Sequence, residues 1–332
     1  MTDARPSVDV IVPLRNEVDK IPGFLDMLRA QTLRPARVIV ADGMSTDGSR
    51  ALLAAARLEM PELEVVDNTA RIVPAALNVC LAQVQSPLVA RMDTHAEYAP
   101  GYLAAVVATL AERPEISGVG GAMETAGRGA WGHAIASTLR RSFGLGGARH
   151  RVGGEAGPIP HVFSGCYRTD ALRGVHGWDV RFHANEDFEA DTRIRESGGV
   201  LWLAPDARST WFVRETPRAL AIQMWRYGYY KALTLKLHPE SLKARQLAPP
   251  ALVAGLLAGS VLRPRATAVA TAAYAAASAA LGASAARKDG ASVLRGAVVP
   301  AVVHLSWGGG LLSGMINFGL RATHVEAPEG QS

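Results

Sequence analysis

The sequence predicts an α/β domain built on a mostly parallel sheet with helices on both faces, followed by a C-terminal helical membrane region. Two patterns in the 332 residues carry that expectation. Short β-branched runs alternate with stretches of helical apolar spacing through the first half, the order that yields parallel strands joined by crossover helices. From Ser241 to Lys288 there is no acidic residue, and the 21 residues from Ala266 to Ala286 carry no charge. That length suffices for one membrane-crossing helix.

Element by element, Val8 to Val12 reads as a strand and Asp19 to Gln31 as the helix after it. Arg37 to Ala41 and Thr46 to Leu58 form the second such pair. Leu63 to Val66, Val73 to Val84, Leu88 to Met92 and Gly101 to Ala111 continue the alternation. This domain is expected to occupy residues 1–240, the helical membrane-associated region 241–322, and a disordered tail 323–332. The chain enters its first strand from Met1-Thr-Asp-Ala-Arg-Pro6 with no apolar signal region, which places the first half on the cytoplasmic side.

A hydrophobic fraction of 48% supports a large core, and the net charge is +5 with a pI of about 9.4. The excess is local. Seven basic residues (Arg214, Arg218, Arg226, Lys231, Lys236, Lys243, Arg245) stand against Glu215 and Glu240, which equals the whole-chain surplus. No zinc-finger spacing and no other basic-aromatic stripe occurs, so nucleic acid is not an expected partner. Cys80 and Cys166 match no metal or redox spacing and read as buried apolar residues of a reduced compartment.

Ligands of open α/β sheets bind where strands end at their carboxyl edges. Three successive exits carry polar clusters: Pro13-Leu-Arg-Asn-Glu17, Asp42-Gly-Met-Ser-Thr-Asp-Gly-Ser49 and Asp93-Thr-His95. The second is also what a turn with Ser45 or Asp47 as helix cap would look like. In the third, a hard carboxylate and an imidazole two residues apart can hold a divalent cation against a diphosphate. Further on, Asn185-Glu186-Asp187 opens a helical stretch running to about Glu196, where a first-turn carboxylate is stabilised by the helix dipole by about 0.3 to 1 kcal/mol. Asn185 could also serve as a simple cap.

Taken in order, Val10-Ile-Val-Pro-Leu-Arg-Asn-Glu17, Val40-Ala-Asp-Gly-Met-Ser-Thr-Asp-Gly-Ser49, Ala75-Ala-Leu-Asn78, Asp93-Thr-His95, Asn185-Glu-Asp187 and Gln223-Met-Trp-Arg-Tyr227 resemble the inverting glycosyltransferases of family 2, which have the GT-A fold. The resemblance covers Val8 to Lys236. Within the family, the phrase from Arg91 to Ala96 is most similar to bacterial exopolysaccharide transferases of the succinoglycan type.

The resemblance implies roles. Pro13, Asn16, Glu17 and Ser45 would shape the nucleoside pocket, and Asp42 would accept a hydrogen bond from the base, which suits uracil. Arg71 and Asn78 would lie near the diphosphate, where a guanidinium fork fits phosphate oxygens. Asp93 and His95 would bind Mn2+ or Mg2+; histidine replaces the usual second aspartate and favours manganese. Asp187, with Glu186 beside it, would be the general base that activates the acceptor hydroxyl. Arg226 would carry charge on the leaving diphosphate. Tyr227 stands where polymer synthases have tryptophan, which points to one sugar transferred per encounter.

Glycine-rich segments around Arg149, His150 and Arg151 suit a loop that orders over substrate, with His161 and Phe163-Ser-Gly-Cys166 bordering the acceptor. In the last third, Ala297 to Leu320 offers a second span, and Pro249 to Leu262 is short enough to be re-entrant or interfacial. The basic stretch before them also contains Trp211, Phe212, Trp225, Tyr227, Tyr229 and Tyr230, a composition for a helix at the headgroup level of an anionic leaflet.

The expected protein is therefore an inner-membrane, metal-dependent inverting glycosyltransferase. It would transfer glucose or a related sugar from a UDP-linked nucleotide-sugar to a lipid-linked saccharide acceptor. An inactive sugar-nucleotide-binding membrane scaffold is the alternative. A dinucleotide-dependent oxidoreductase is excluded because Pro13 to Glu17 contains no glycine and Gly118-Val-Gly-Gly121 comes too late.

Overall fold

The computed structural model describes residues 6–141 and 154–320. The expected mobile segment around Arg149 to Arg151 and the tail 323–332 lie outside the described residues. The chain groups into two compact units, Met1–Val213 and Arg214–Ser332. The aromatic and basic helix that closes the domain of residues 1–240 in the sequence reading thus groups with the second unit.

In the first unit, strands β1 (Val8–Leu14), β2 (Arg37–Asp42), β3 (Leu63–Asp67) and β4 (Leu88–Arg91) run parallel in the order β3-β2-β1-β4. Helices α1 (Ile21–Arg29), α2 (Ser49–Ala56) and α3 (Val73–Gln83) make the crossovers. The period-2 alternation of β1 divides the core. Val8, Val10, Val12 and Leu14 join Ile21, Phe24, Leu28 and Leu53 on one face, together with Leu103 and Val107 of α4 (Tyr102–Glu112). Ile11 joins Ile39, Ala76, Leu77 and Cys80 on the other. Both faces are buried, which is why these strands read as unbroken apolar runs.

Beyond β4 the sheet is mixed. β8 (Cys166–Arg168) inserts antiparallel between β4 and β6 (Gly118–Ala126), and β9 (Leu201–Phe212) runs parallel to β6. β5 (Ala96–Tyr98) and β7 (Gly157–Pro158) pair antiparallel with β9. One buried polar contact fixes the start of β1: Asp9 accepts from the backbone of Gln85 at 2.8 Å and from the Ser86 hydroxyl at 2.7 Å, just ahead of β4. Helices α5 (Gly129–Leu139), α6 (Thr169–Gly174) and α7 (Glu186–Glu196) complete the unit.

The second unit is helical. α8 (Pro217–Leu237) begins at Thr216, whose hydroxyl accepts from the Ala219 N–H at 3.2 Å. α9 (Ala248–Leu262), α10 (Pro264–Lys288) and α11 (Val293–Leu320) follow. Three segments, Ala244–Leu262, Pro264–Lys288 and Val293–Gly319, are long and apolar enough to cross a membrane. The segment expected to be too short gains a turn of helix at its start and reaches 19 residues. α8 lies against α11 without intervening side chains: a Cβ on Gly228 would collide with the Trp307 carbonyl oxygen, and one on Gly310 with that of Trp225. Part of the basic stretch is turned inward. Lys231 is buried, donates to the Ser241 hydroxyl at 2.9 Å, and has its amine lowered to about 8, first by desolvation and then by Lys243.

Cys80 and Cys166 are free and buried in the first unit, as the sequence suggests. Burial pushes both thiols up to about 12, which cuts the thiolate population at neutral pH on the order of a thousandfold. Mass spectrometry after iodoacetamide at pH 8 should find neither alkylated in the native protein and both alkylated after denaturation.

Candidate active site

The three polar strand exits come together through side-chain hydrogen bonds. Asn16, in the left-handed region at φ +52°, donates its N–H to the Ser45 hydroxyl at 2.8 Å and accepts from the Thr46 N–H at 2.9 Å. Glu17 donates its N–H to the Ser49 hydroxyl at 3.0 Å, and Val18 does so to the Asp47 carboxylate at 3.0 Å. The Ser49 hydroxyl in turn holds Asp47 below the usual carboxylate range. Pro13 is the penultimate residue of β1, opposite Ala41 of β2. Fully buried Asp42 closes the second loop by accepting from the Ser45 N–H at 3.2 Å and from Arg50 at 3.4 Å. The Thr94 hydroxyl donates to the Glu17 carboxylate and ties the third exit to the first.

Arg91, the last residue of β4, organises the acids. Its Nε and Nη2 fork onto the two oxygens of Asp93 at 2.9 and 3.1 Å. Its Nη1 donates to Glu186 Oε1 at 3.1 Å and to Asp187 Oδ1 at 2.6 Å. Asp93 is further set by its own N–H, which donates to the Tyr98 hydroxyl at 2.9 Å. His95 Nε2 stands 4.0 Å from Asp93 Oδ2, with the imidazole 44% exposed.

Glu186 and Asp187 form the first turn of α7, and their carboxylates face Arg91. Asn185 precedes them at φ +65° and makes no side-chain cap, so a plain capping role is not what this motif performs. Desolvation pushes Glu186 up, and the neighbouring Asp187 adds to it. Burial acts on Asp93 in the same sense, but Arg91 and then His95 outweigh it and hold Asp93 below its ordinary value. Desolvation opposes the Arg91 charge, yet Asp187, Asp93 and Glu186 together raise it well above normal.

The model of the family described as "Glycosyl transferase family 2" matches residues 9–174, half of the chain. The chain belongs to family 2. It is 31% identical over 261 residues to the succinoglycan biosynthesis protein ExoA of Rhizobium meliloti (strain 1021), covering 76% of this chain and 77% of that protein. Among solved structures it is similar to the mannosyltransferase PcManGT of Pyrobaculum calidifontis in complex with GDP-Man and Mn2+. The TM-score is 0.62 at 21% identity, over 92% of this chain and 88% of that one. It is also similar to GalNAc-T7 with UDP, GalNAc and Mn2+, with a TM-score of 0.52 at 16% identity, over 72% of this chain and 51% of the other. These likenesses establish the GT-A fold, and the family 2 membership makes the protein a glycosyltransferase.

The resemblance singles out three further residues. Arg71 begins the α3 region at φ +59° with its side chain exposed. Asn78 is engaged by the backbone of Trp178 at 2.7 and 2.8 Å. Arg226 lies on α8 in the second unit, where the Gln223 amide donates to the Tyr227 hydroxyl at 3.2 Å. One turn after Asp187, buried Asp191 accepts from His161 Nδ1 at 2.7 Å, the Val162 N–H at 2.9 Å and the Tyr167 hydroxyl at 2.9 Å. His161 therefore sits beside α7, with its ring 5.7 Å from that of Phe188.

Sequence reasoning gave no role to Arg91, Trp178, Asp191 or Tyr167. Arg91 left a signal, a charged residue closing an otherwise apolar strand, and the other three left none. Replacing Arg91 by methionine removes the partner of three largely buried carboxylates, so a loss of about 3–5 kcal/mol is expected. A fall in thermal midpoint with unchanged far-UV circular dichroism at low temperature would measure it.

Proposed function

We propose that this glycosyltransferase is metal-dependent and inverting, and that it moves a sugar from a UDP-linked donor to a lipid-linked saccharide acceptor in exopolysaccharide or glycolipid assembly. The observation that carries the reading is the Arg91 network, which joins Asp93 at a strand exit to Glu186 and Asp187 at a helix start. On this reading the metal-binding acid and the base share one guanidinium. The similarity to a succinoglycan biosynthesis protein and the three apolar helices support a membrane-borne acceptor, with the catalytic unit on the cytoplasmic face of the inner membrane.

The donor set suits a divalent ion. Asp93 supplies a hard oxygen and His95 a borderline nitrogen, 4.0 Å apart with the imidazole open to one side. Three carboxylates surround a single guanidinium, so the cluster favours added positive charge. Two structural relatives hold Mn2+, which supports Mn2+ or Mg2+ here. When bound, such an ion would neutralise charge on the departing diphosphate. Pro13, Asn16, Glu17, Asp42 and Ser45 would surround the nucleoside, and Arg71 would reach the diphosphate.

Asp187 would take the proton of the acceptor hydroxyl while that oxygen attacks the anomeric carbon opposite the diphosphate, inverting the centre. Glu186 shares Arg91 with it and adds negative charge beside the base. With UDP-glucose, Mn2+ and native lipid extract, Asp187→Asn should reduce UDP release by about 10²–10⁴-fold. Asp93→Ala should lose at least as much, and equal turnover in parent and variants rejects the assignment. Activity should vanish in EDTA and return with Mn2+, whereas EDTA-resistant turnover argues against a metal.

A further inference from the structure

The Asn78 side chain is gripped at both ends by one residue 100 positions away. Its Nδ2 donates to the Trp178 carbonyl at 2.7 Å, and its Oδ1 accepts from the Trp178 N–H at 2.8 Å. This reciprocal pair does for Trp178 what an adjacent strand does for a peptide unit, and fixes its backbone plane. The preceding Gly177 stands at φ +66°, and a Cβ there would collide with Asn78 Oδ1. Glycine supplies both the left-handed backbone and the room.

The consequence appears at the other end of Trp178. Its ring is 2% exposed and belongs to the apolar cluster containing Leu77, Cys80, Ala190 and Ile194. The indole N–H donates to Asp187 Oδ1 at 3.0 Å. Arg91 donates to the same oxygen at 2.6 Å. Among the described residues, Asp187 Oδ2 has no hydrogen-bond partner. A carboxylate held by two donors on one oxygen has a fixed plane and offers the other oxygen outward.

We propose that Trp178 and Asn78 are positioning residues for the base, with Asn78 acting through Trp178 and not as a ligand of the donor. The proposal rests on the reading of Asp187 as general base. The Asn78 amide sets the Trp178 backbone, the packed ring carries that setting to the indole N–H, and the N–H turns Asp187 so that Oδ2 meets the acceptor. The proton passes from the acceptor hydroxyl to Oδ2 as its oxygen bonds to the anomeric carbon. The bond from that carbon to the diphosphate oxygen breaks, and the electron pair leaves with the nucleoside diphosphate.

The test uses the full-length protein in detergent. With ¹⁵N-labelled indoles, Trp178→Phe identifies one of the six tryptophan side-chain resonances, and Asp187→Asn should move that resonance selectively. An unmoved resonance shows that the indole does not hold the base and overturns the proposal. Trp178→Phe and Asn78→Asp should each lower kcat for UDP-glucose about tenfold, as for a slightly misaligned reacting group. Affinity for UDP–Mn2+ by calorimetry, and donor KM, should stay within about twofold of the parent. Weakened UDP binding with intact kcat in Asn78→Asp would return Asn78 to the donor pocket and overturn its assignment. If instead Asp187→Asn moved the indole resonance but turned over as fast as the parent, the base reading itself would fall.

Discussion

A single buried guanidinium holds the catalytic half of this molecule together. Arg91 ends β4 near the sheet centre and meets Asp93 two residues later and Asp187 96 residues later. Without it, three carboxylates in a water-poor setting would repel one another and take up protons. With it, Asp93 stays below the ordinary carboxylate range, and the guanidinium partly offsets the desolvation that pushes Glu186 above it. The first-turn acids of α7 can therefore face the exit of β4.

What the sequence made legible is what short-range pattern can encode. The run Val8 to Val12, the cluster Asp42 to Ser49 and the spacing of Asp93 and His95 each fall within one element and its turn; the first is the body of β1, and the other two follow the ends of β2 and β4. β1, β2 and β4 are buried on both faces, as their apolar composition suggests, while β3 closes the sheet as a half-buried edge. β8 escaped because three residues carry no periodicity, and its antiparallel insertion makes the far half of the sheet mixed. The Trp178 and Asp191 contacts escaped for another reason. Their partners lie 100 positions away at Asn78 and on a separate loop at His161, and no local spacing announces such pairs.

In the second unit, six of the seven basic residues from Arg214 to Arg245 are exposed. Lys231 is the exception: it is buried and discharges more easily than a surface amine, while Lys236 reaches the Phe318 carbonyl at 2.6 Å. Tyr229 likewise packs against Phe318, with the rings tilted and their centroids 5.0 Å apart. Which side chains α8 presents depends on its packing against α11.

The glycine seam between α8 and α11 bears on how this protein can be divided into fragments. A water-soluble fragment ending near residue 240 looks natural, because it stops just before the apolar segments begin. Such a fragment would keep α8 while discarding the helix whose backbone lies directly on Gly228. It would expose a flat strip of bare peptide and aromatic rings, the kind of surface that seeks a new partner and precipitates. A cut after Val213 leaves that strip behind with the helices that cover it, and is the more promising starting point for expression without detergent.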